Sequence, residues 1–188
     1  MNLLRKVVLV GDSNVRKTCI LNVLKKKRFD PNISPKIGTN FFSQIFKVGE
    51  EDENVTLNIW DTAGQEKYRS VVTNYFRDVD SAIIVYDITQ HSTFQSIDFW
   101  VGCLRDNSNR TASLFLVGNK ADMLEKEVIN IEMGKAKAFE INAEFSETSA
   151  MECLGIFELF QSVANQLYEL NKKSQINSSG LINSKKVL

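Results

Sequence analysis

Short apolar runs alternate along this chain with longer stretches whose hydrophobic residues recur at helical intervals. Residues 7–10, 57–60, 82–86, 114–117 and 143–145 are apolar runs too short for helices, which predicts strands. Between them, 17–27, 93–105, 131–139 and 155–170 predict helices; the last carries Ile156, Phe157, Phe160, Val163, Ala164 and Leu167 at helical spacing. Strands separated by helices imply an α/β fold with a mostly parallel, doubly wound sheet. Residues 41–48 and 55–60, divided by the polar segment 49–54, predict a hairpin that adds one antiparallel edge strand and brings the sheet to six. A chain of 188 residues with 43% hydrophobic residues is enough for one domain, placed here at 1–170. Residues 171–188, rich in Asn, Ser and Lys, are expected to form a flexible tail.

The function classes narrow on charge. Twenty-three Lys plus Arg against 23 Asp plus Glu give no net charge, which argues against a broad electrostatic grip on nucleic acid. Any anion must be gripped locally. No apolar run reaches the length of a membrane span and no cleavable leader opens the chain, an expectation of residence in the cytosol. Cys19, Cys103 and Cys153 have no metal-ligand spacing and are expected to be reduced core thiols.

Four segments carry chemistry, each at the C-terminal end of an expected strand, the ligand-binding edge of an open α/β sheet. Gly11-Asp12-Ser13-Asn14-Val15-Arg16-Lys17-Thr18 follows a strand and opens a helix, the setting of a phosphate-binding loop. Its backbone N–H groups can face phosphate oxygens, Lys17 can supply a point charge, and Thr18 a hard oxygen ligand for Mg²⁺. Asp61 in Trp60-Asp61-Thr62-Ala63-Gly64-Gln65-Glu66 can reach the same metal through water; Gly64 can offer its N–H to a terminal phosphate and Gln65 can orient an attacking water. Asn119-Lys120-Ala121-Asp122 and Glu147-Thr148-Ser149-Ala150 complete the set.

In this order, the four segments resemble a Ras-superfamily small GTPase, and Ile37-Gly38-Thr39-Asn40-Phe41 with Tyr75-Phe76-Arg77 resemble the Rab family in particular. The likeness covers residues 3–171. It implies a P-loop GTPase domain with about five helices that binds GTP or GDP with Mg²⁺. It further implies catalysis by Gln65 and Lys17, metal binding by Thr18 and Asp61, and a nucleotide pocket lined by Ser13, Asn14, Val15, Arg16, Lys17, Thr18, Cys19, Phe29, Asp61, Gly64, Asn119, Lys120, Asp122, Ser149 and Ala150. By the same likeness, Asp122 accepts from the guanine N1–H and amino group, Asn119 holds the other edge, the Ala150 N–H meets the carbonyl oxygen, the Lys120 stem lies along the base and Phe29 closes its edge. Adenine would leave Asp122 facing an acceptor, which disfavours ATP by roughly 10⁴-fold. Phe41, Trp60 and Tyr75 match the aromatic triad on which Rab partners rest, so effector or regulatory proteins are the expected partners. Packing between switch and sheet is the other reading of those rings.

Two positions depart from the family. The phosphate-binding pattern wants Gly where Arg16 stands; a side chain forced into left-handed backbone costs roughly 1–2 kcal/mol, about one order of magnitude in affinity. A guanidinium that met a phosphate oxygen would recover part of that. In Ser34-Pro35-Lys36-Ile37-Gly38, Lys36 replaces the Thr that completes the Mg²⁺ shell. An ammonium has no lone pair to give, and at about 4 Å from a divalent ion it is repelled by roughly 8 kcal/mol at an effective dielectric of about 20. The first switch loop is therefore expected to respond weakly to the terminal phosphate, and hydrolysis to be slow.

Elsewhere, Lys25-Lys26-Lys27-Arg28 is expected to be a solvated helix end, His91 a surface residue, and residues 151–154 core. The family usually ends in prenylated cysteines; this sequence ends Ser184-Lys185-Lys186-Val187-Leu188, so membrane contact is expected only indirectly, at endomembranes. The favoured function is a divergent Rab-like switch in vesicle traffic. A pseudo-GTPase binding module without nucleotide cycling is the alternative, and a P-loop kinase is disfavoured because it has no use for Asn119, Asp122 and Ala150 together.

Overall fold

A computed structural model describes residues 2–29, 40–49, 53–62 and 73–184. Six strands form one sheet in the order β2-β3-β1-β4-β5-β6: β1 Asn2–Val10, β2 Asn40–Val48, β3 Glu53–Asp61, β4 Ser81–Asp87, β5 Ser113–Asn119 and β6 Ala143–Thr148. Only the β2–β3 pair is antiparallel; β1 pairs in parallel with both β3 and β4, and β5 with β4 and β6. Five helices are described: α1 Lys17–Lys26, α2 His91–Gln95, α3 Ile97–Asn107, α4 Ile131–Ile141 and α5 Ile156–Ser184. The expected α/β architecture, with its single antiparallel edge strand, is the observed one.

Period-two alternation sends neighbouring strand residues to opposite faces. Val7 and Leu9 of β1, Ile83 and Val85 of β4, and Phe115 and Val117 of β5 pack against α1 and α5 through Ile20, Leu24, Phe160 and Val163. Val8, Val10, Ala82, Ile84, Tyr86 and Leu116 face the other way, onto Trp100, Val101 and Leu104 of α3 and Ala138 and Ile141 of α4. All seven residues of β4 are buried, as a central parallel strand covered on both faces must be.

The single helix expected over 93–105 is two, because the Ser96 hydroxyl donates to the Ser92 carbonyl at 3.1 Å, a back-bond that bends a helix. The last helix runs on to Ser184, beyond residue 170; once a helix is nucleated by its docked turns, adding residues is cheap, and no proline interrupts 171–184. Arg5 of β1 donates to Asn171 at 2.8 Å within this continuation. No helix among the described residues is long and apolar enough to cross a membrane.

Residues 151–154 are not core: Met151 is 51% and Leu154 63% exposed, and Cys153 is exposed as well. They form a reversing turn, closed by paired backbone bonds between Ser149 and Leu154, which lifts the side chains off the sheet. Cys19 and Cys103 are half-buried. Lys25 to Arg28 and His91 are exposed, the latter opening α2.

At Gly134, α4 comes close to side chains of β6 and β4: a Cβ there would lie 2.5 Å from the Phe145 ring and 2.6 Å from the Tyr86 hydroxyl. We expect Gly134→Ala to destabilise the domain by about 1–3 kcal/mol through overpacking, read as a lowered midpoint in thermal denaturation. An unchanged midpoint would contradict this packing.

Candidate functional site

The loop after β1 is shaped by its backbone. Gly11 has φ +138°, and a Cβ there would lie 2.2 Å from the Val85 carbonyl oxygen, so only glycine allows β1 to hand the chain over against β4. Asn14 and Arg16 are left-handed at φ 64° and 69°. Asn tolerates that conformation, whereas Arg bears its steric cost. Left-handed residues at alternate positions turn successive N–H groups into one concavity, the geometry of an anion-binding nest. Arg16 is also the residue that precedes α1, and its side chain makes no capping bond, so the first-turn N–H groups face the loop without one.

Lys17 is buried beneath this loop, with Nζ donating to the carbonyls of Gly11 and Asp12 at 2.7 Å each. Burial pulls its ammonium down to about 8, against the pull of Asp61 and Asp12. A phosphate in the concavity would favour the charged form. Thr18 Oγ1 donates to Asp61 Oδ2 at 2.7 Å, which joins the start of α1 to the end of β3. These two hard oxygens, from a hydroxyl and a carboxylate, fit Mg²⁺, which is held by one or two protein oxygens with phosphates and water supplying the rest. Thr62 follows, its hydroxyl donating to the Leu9 carbonyl at 2.6 Å. Gly64, Gln65 and Lys36 lie outside the described residues.

The other end of the site is built on Asn119, which is fully buried. Its Nδ2 donates to the Val15 carbonyl at 2.8 Å, while its Oδ1 accepts from Thr148 Oγ1 at 3.0 Å and from the Ala150 N–H at 3.3 Å. One amide therefore ties the phosphate-side loop to the loop after β6. Asp122 Oδ1 accepts from Ser149 Oγ at 2.5 Å. Lys120 is left-handed, at φ 71°, and its ammonium pairs with the buried carboxylate of Asp87 at the end of β4. Ser149 and Ala150 are buried; Ser13 and Cys19 are half-buried, and Asn14 is exposed. Phe29 packs at the core margin, with the Arg16 guanidinium carbon 5.8 Å from its ring centre. Every described residue expected at the site thus stands at the C-terminal edge of the sheet or on the first turn and end of α1.

Three supporting residues were missed from the sequence. Trp100 Nε1 donates to Asp12 Oδ1 at 3.0 Å, Asp87 pairs with Lys120, and Thr148 holds Asn119. Asp87 had a readable signal, a carboxylate ending an otherwise apolar strand; the Asp12–Trp100 pair spans 88 positions and has none. The ring centres of Phe41 and Trp60 lie 5.0 Å apart and those of Trp60 and Tyr75 5.3 Å apart. Phe41 is 55% exposed, and Trp60 and Tyr75 are half-buried.

Replacing Asn119 by Ala orphans buried groups on two loops at roughly 1–3 kcal/mol each. We expect Asn119→Ala to lower the melting temperature of the ligand-free protein by about 4 °C or more in calorimetry; an unchanged melting temperature would refute the clamp.

Comparison with known proteins agrees with this geometry. The Ras family model matches residues 6–169. The Ras-related protein Rab11B of Nicotiana tabacum is 38% identical over 165 residues, 88% of this chain and 75% of that protein. The Ras-related protein RABA1g of Arabidopsis thaliana is 38% identical over 174 residues, 93% of this chain and 79% of that protein. The matched span holds the phosphate-side loop, the Thr18–Asp61 pair and the Asn119 clamp, and the chain belongs to the Ras family and, within it, to the Rab small GTPases, which bind GTP or GDP with Mg²⁺.

Proposed function

We propose that this protein is a divergent Rab switch of vesicle traffic, acting on the cytoplasmic side of membranes, with a loosened phosphate cradle and slow turnover. The observation that carries the reading is the Asn119 clamp, since a pocket for a long ligand needs its phosphate end and its base end held in one register. In this reading Asp122, steadied by Ser149, accepts from the guanine edge, the Ala150 N–H donates to the guanine oxygen, and Lys120, held by Asp87, lies along the base. Lys17 shifts from the Gly11 and Asp12 carbonyls onto the outer phosphates. Thr18 and Asp61 hold Mg²⁺, which supplies charge neutralisation at the phosphate oxygens. Gln65 orients water for in-line attack on the terminal phosphate.

Two features support loosening. Arg16 keeps the left-handed backbone of a glycine position and carries a side chain there, and Lys36 offers no lone pair where the first switch loop would meet the metal. The exposed Phe41 ring, tilted against Trp60, which in turn meets Tyr75, supports a partner surface.

Denaturing the purified protein and chromatographing what it releases tests the function. GDP or GTP at close to one per chain is the expected result; no nucleotide, and no heat on titration with either, would replace the switch by a permanently set binding module. For the cradle, Arg16→Gly is expected to lower the dissociation constant for GDP in Mg²⁺ buffer by about tenfold. An unchanged constant would refute the loosening.

A further inference from the structure

Arg16 occupies a position where a phosphate-binding loop ordinarily has no side chain, yet its guanidinium is not simply turned out to solvent. It reaches toward Phe29 until Cζ lies 5.8 Å from the ring centre, within cation–π range, and its Nη1 is buried with no hydrogen-bond partner among the described residues. A phenyl face orients a guanidinium but offers Nη1 no acceptor. Three carbonyls of the loop are already engaged: those of Gly11 and Asp12 accept from Lys17, and that of Val15 accepts from Asn119. Leaving a charged donor buried and unpaired is costly, so an acceptor from outside the protein would be strongly favoured there.

The chemistry of that acceptor follows from place and charge. Arg16 immediately precedes α1, beside first-turn N–H groups that favour an anion. A guanidinium presents a planar fork that matches phosphate oxygens. Phe29, which steadies it, lies on the base side of the loop in the nucleotide reading, so the guanidinium spans the stretch between loop and base.

We propose that Arg16 is a second fixed cation of the phosphate cradle, donating through Nη1 to a non-bridging oxygen of the nucleotide's diphosphate, so that this chain depends less on Mg²⁺ to hold GDP than the same site without the arginine. The proposal rests on the guanine-nucleotide reading above. It is compatible with a loosened cradle: the left-handed strain weakens binding equally with and without metal, and cancels when only the penalty for removing the metal is compared. Two cations that neutralise one diphosphate are partly redundant, so loss of one makes the other matter more.

The test measures GDP dissociation constants by titration calorimetry in Mg²⁺ and in EDTA for the wild type and for Arg16→Met, Arg16→Gly and Arg16→Lys. Met removes the charge at similar length, and Gly removes it on backbone that glycine adopts without strain. The EDTA penalty is expected to be at least about tenfold larger in the Met and Gly variants than in the wild type, with Lys in between, since it keeps the charge but not the fork. Penalties equal within about twofold across all four proteins would overturn the role of Arg16 while leaving the nucleotide reading in place. Failure of all four to bind GDP in Mg²⁺ would overturn both.

Discussion

Everything at the working edge of this sheet depends on a single buried amide. The loops after β1, β5 and β6 lie beyond the ladders of the sheet, and their buried polar groups must find partners elsewhere or make the fold unstable. Asn119, at the last position of β5, meets that requirement for two loops at once, with its nitrogen on the Val15 carbonyl and its oxygen on Thr148 and Ala150. Because β5 is an inner strand, the amide is anchored to backbone that is hydrogen-bonded on both sides.

The phosphate end departs from that economy. Glycine at the position of Arg16 would carry no side chain and no strain. The arginine brings both a steric cost and a permanent charge, and its guanidinium rests against Phe29 instead of in open solvent. Lys17, by contrast, is folded onto carbonyl oxygens and loses part of its basicity to burial. The cradle therefore combines one cation held by loop carbonyls and one whose Nη1 has no hydrogen-bond partner among the described residues.

Much of the fold was legible because its signals are local. Continuous apolar runs at 82–86 and 114–117 mark strands covered on both faces, and the polar break at 49–54 marks the antiparallel turn between β2 and β3. The site loops were legible because each follows a strand and combines residue types with few other uses. What escaped depends on contacts between distant segments. The bend at Ser96 comes from a single hydroxyl back-bond, and the exposure of Met151 and Leu154 from a backbone turn that hydropathy does not register. The course of α5 beyond residue 170 was masked by a polar composition that is compatible with either helix or tail.

The sequence by itself determined the order of strands and helices, the sheet edge on which the four loops gather, and the left-handed demand on Arg16. Periodicity and turn chemistry act over a few residues, and the four motifs sit at strand ends. Only the tertiary structure decided where the Arg16 side chain goes, that Trp100 reaches Asp12, and that Lys120 pairs with Asp87. Those outcomes depend on which distant atoms lie within hydrogen-bond or ring-contact reach after the sheet has closed, and no local pattern encodes that distance.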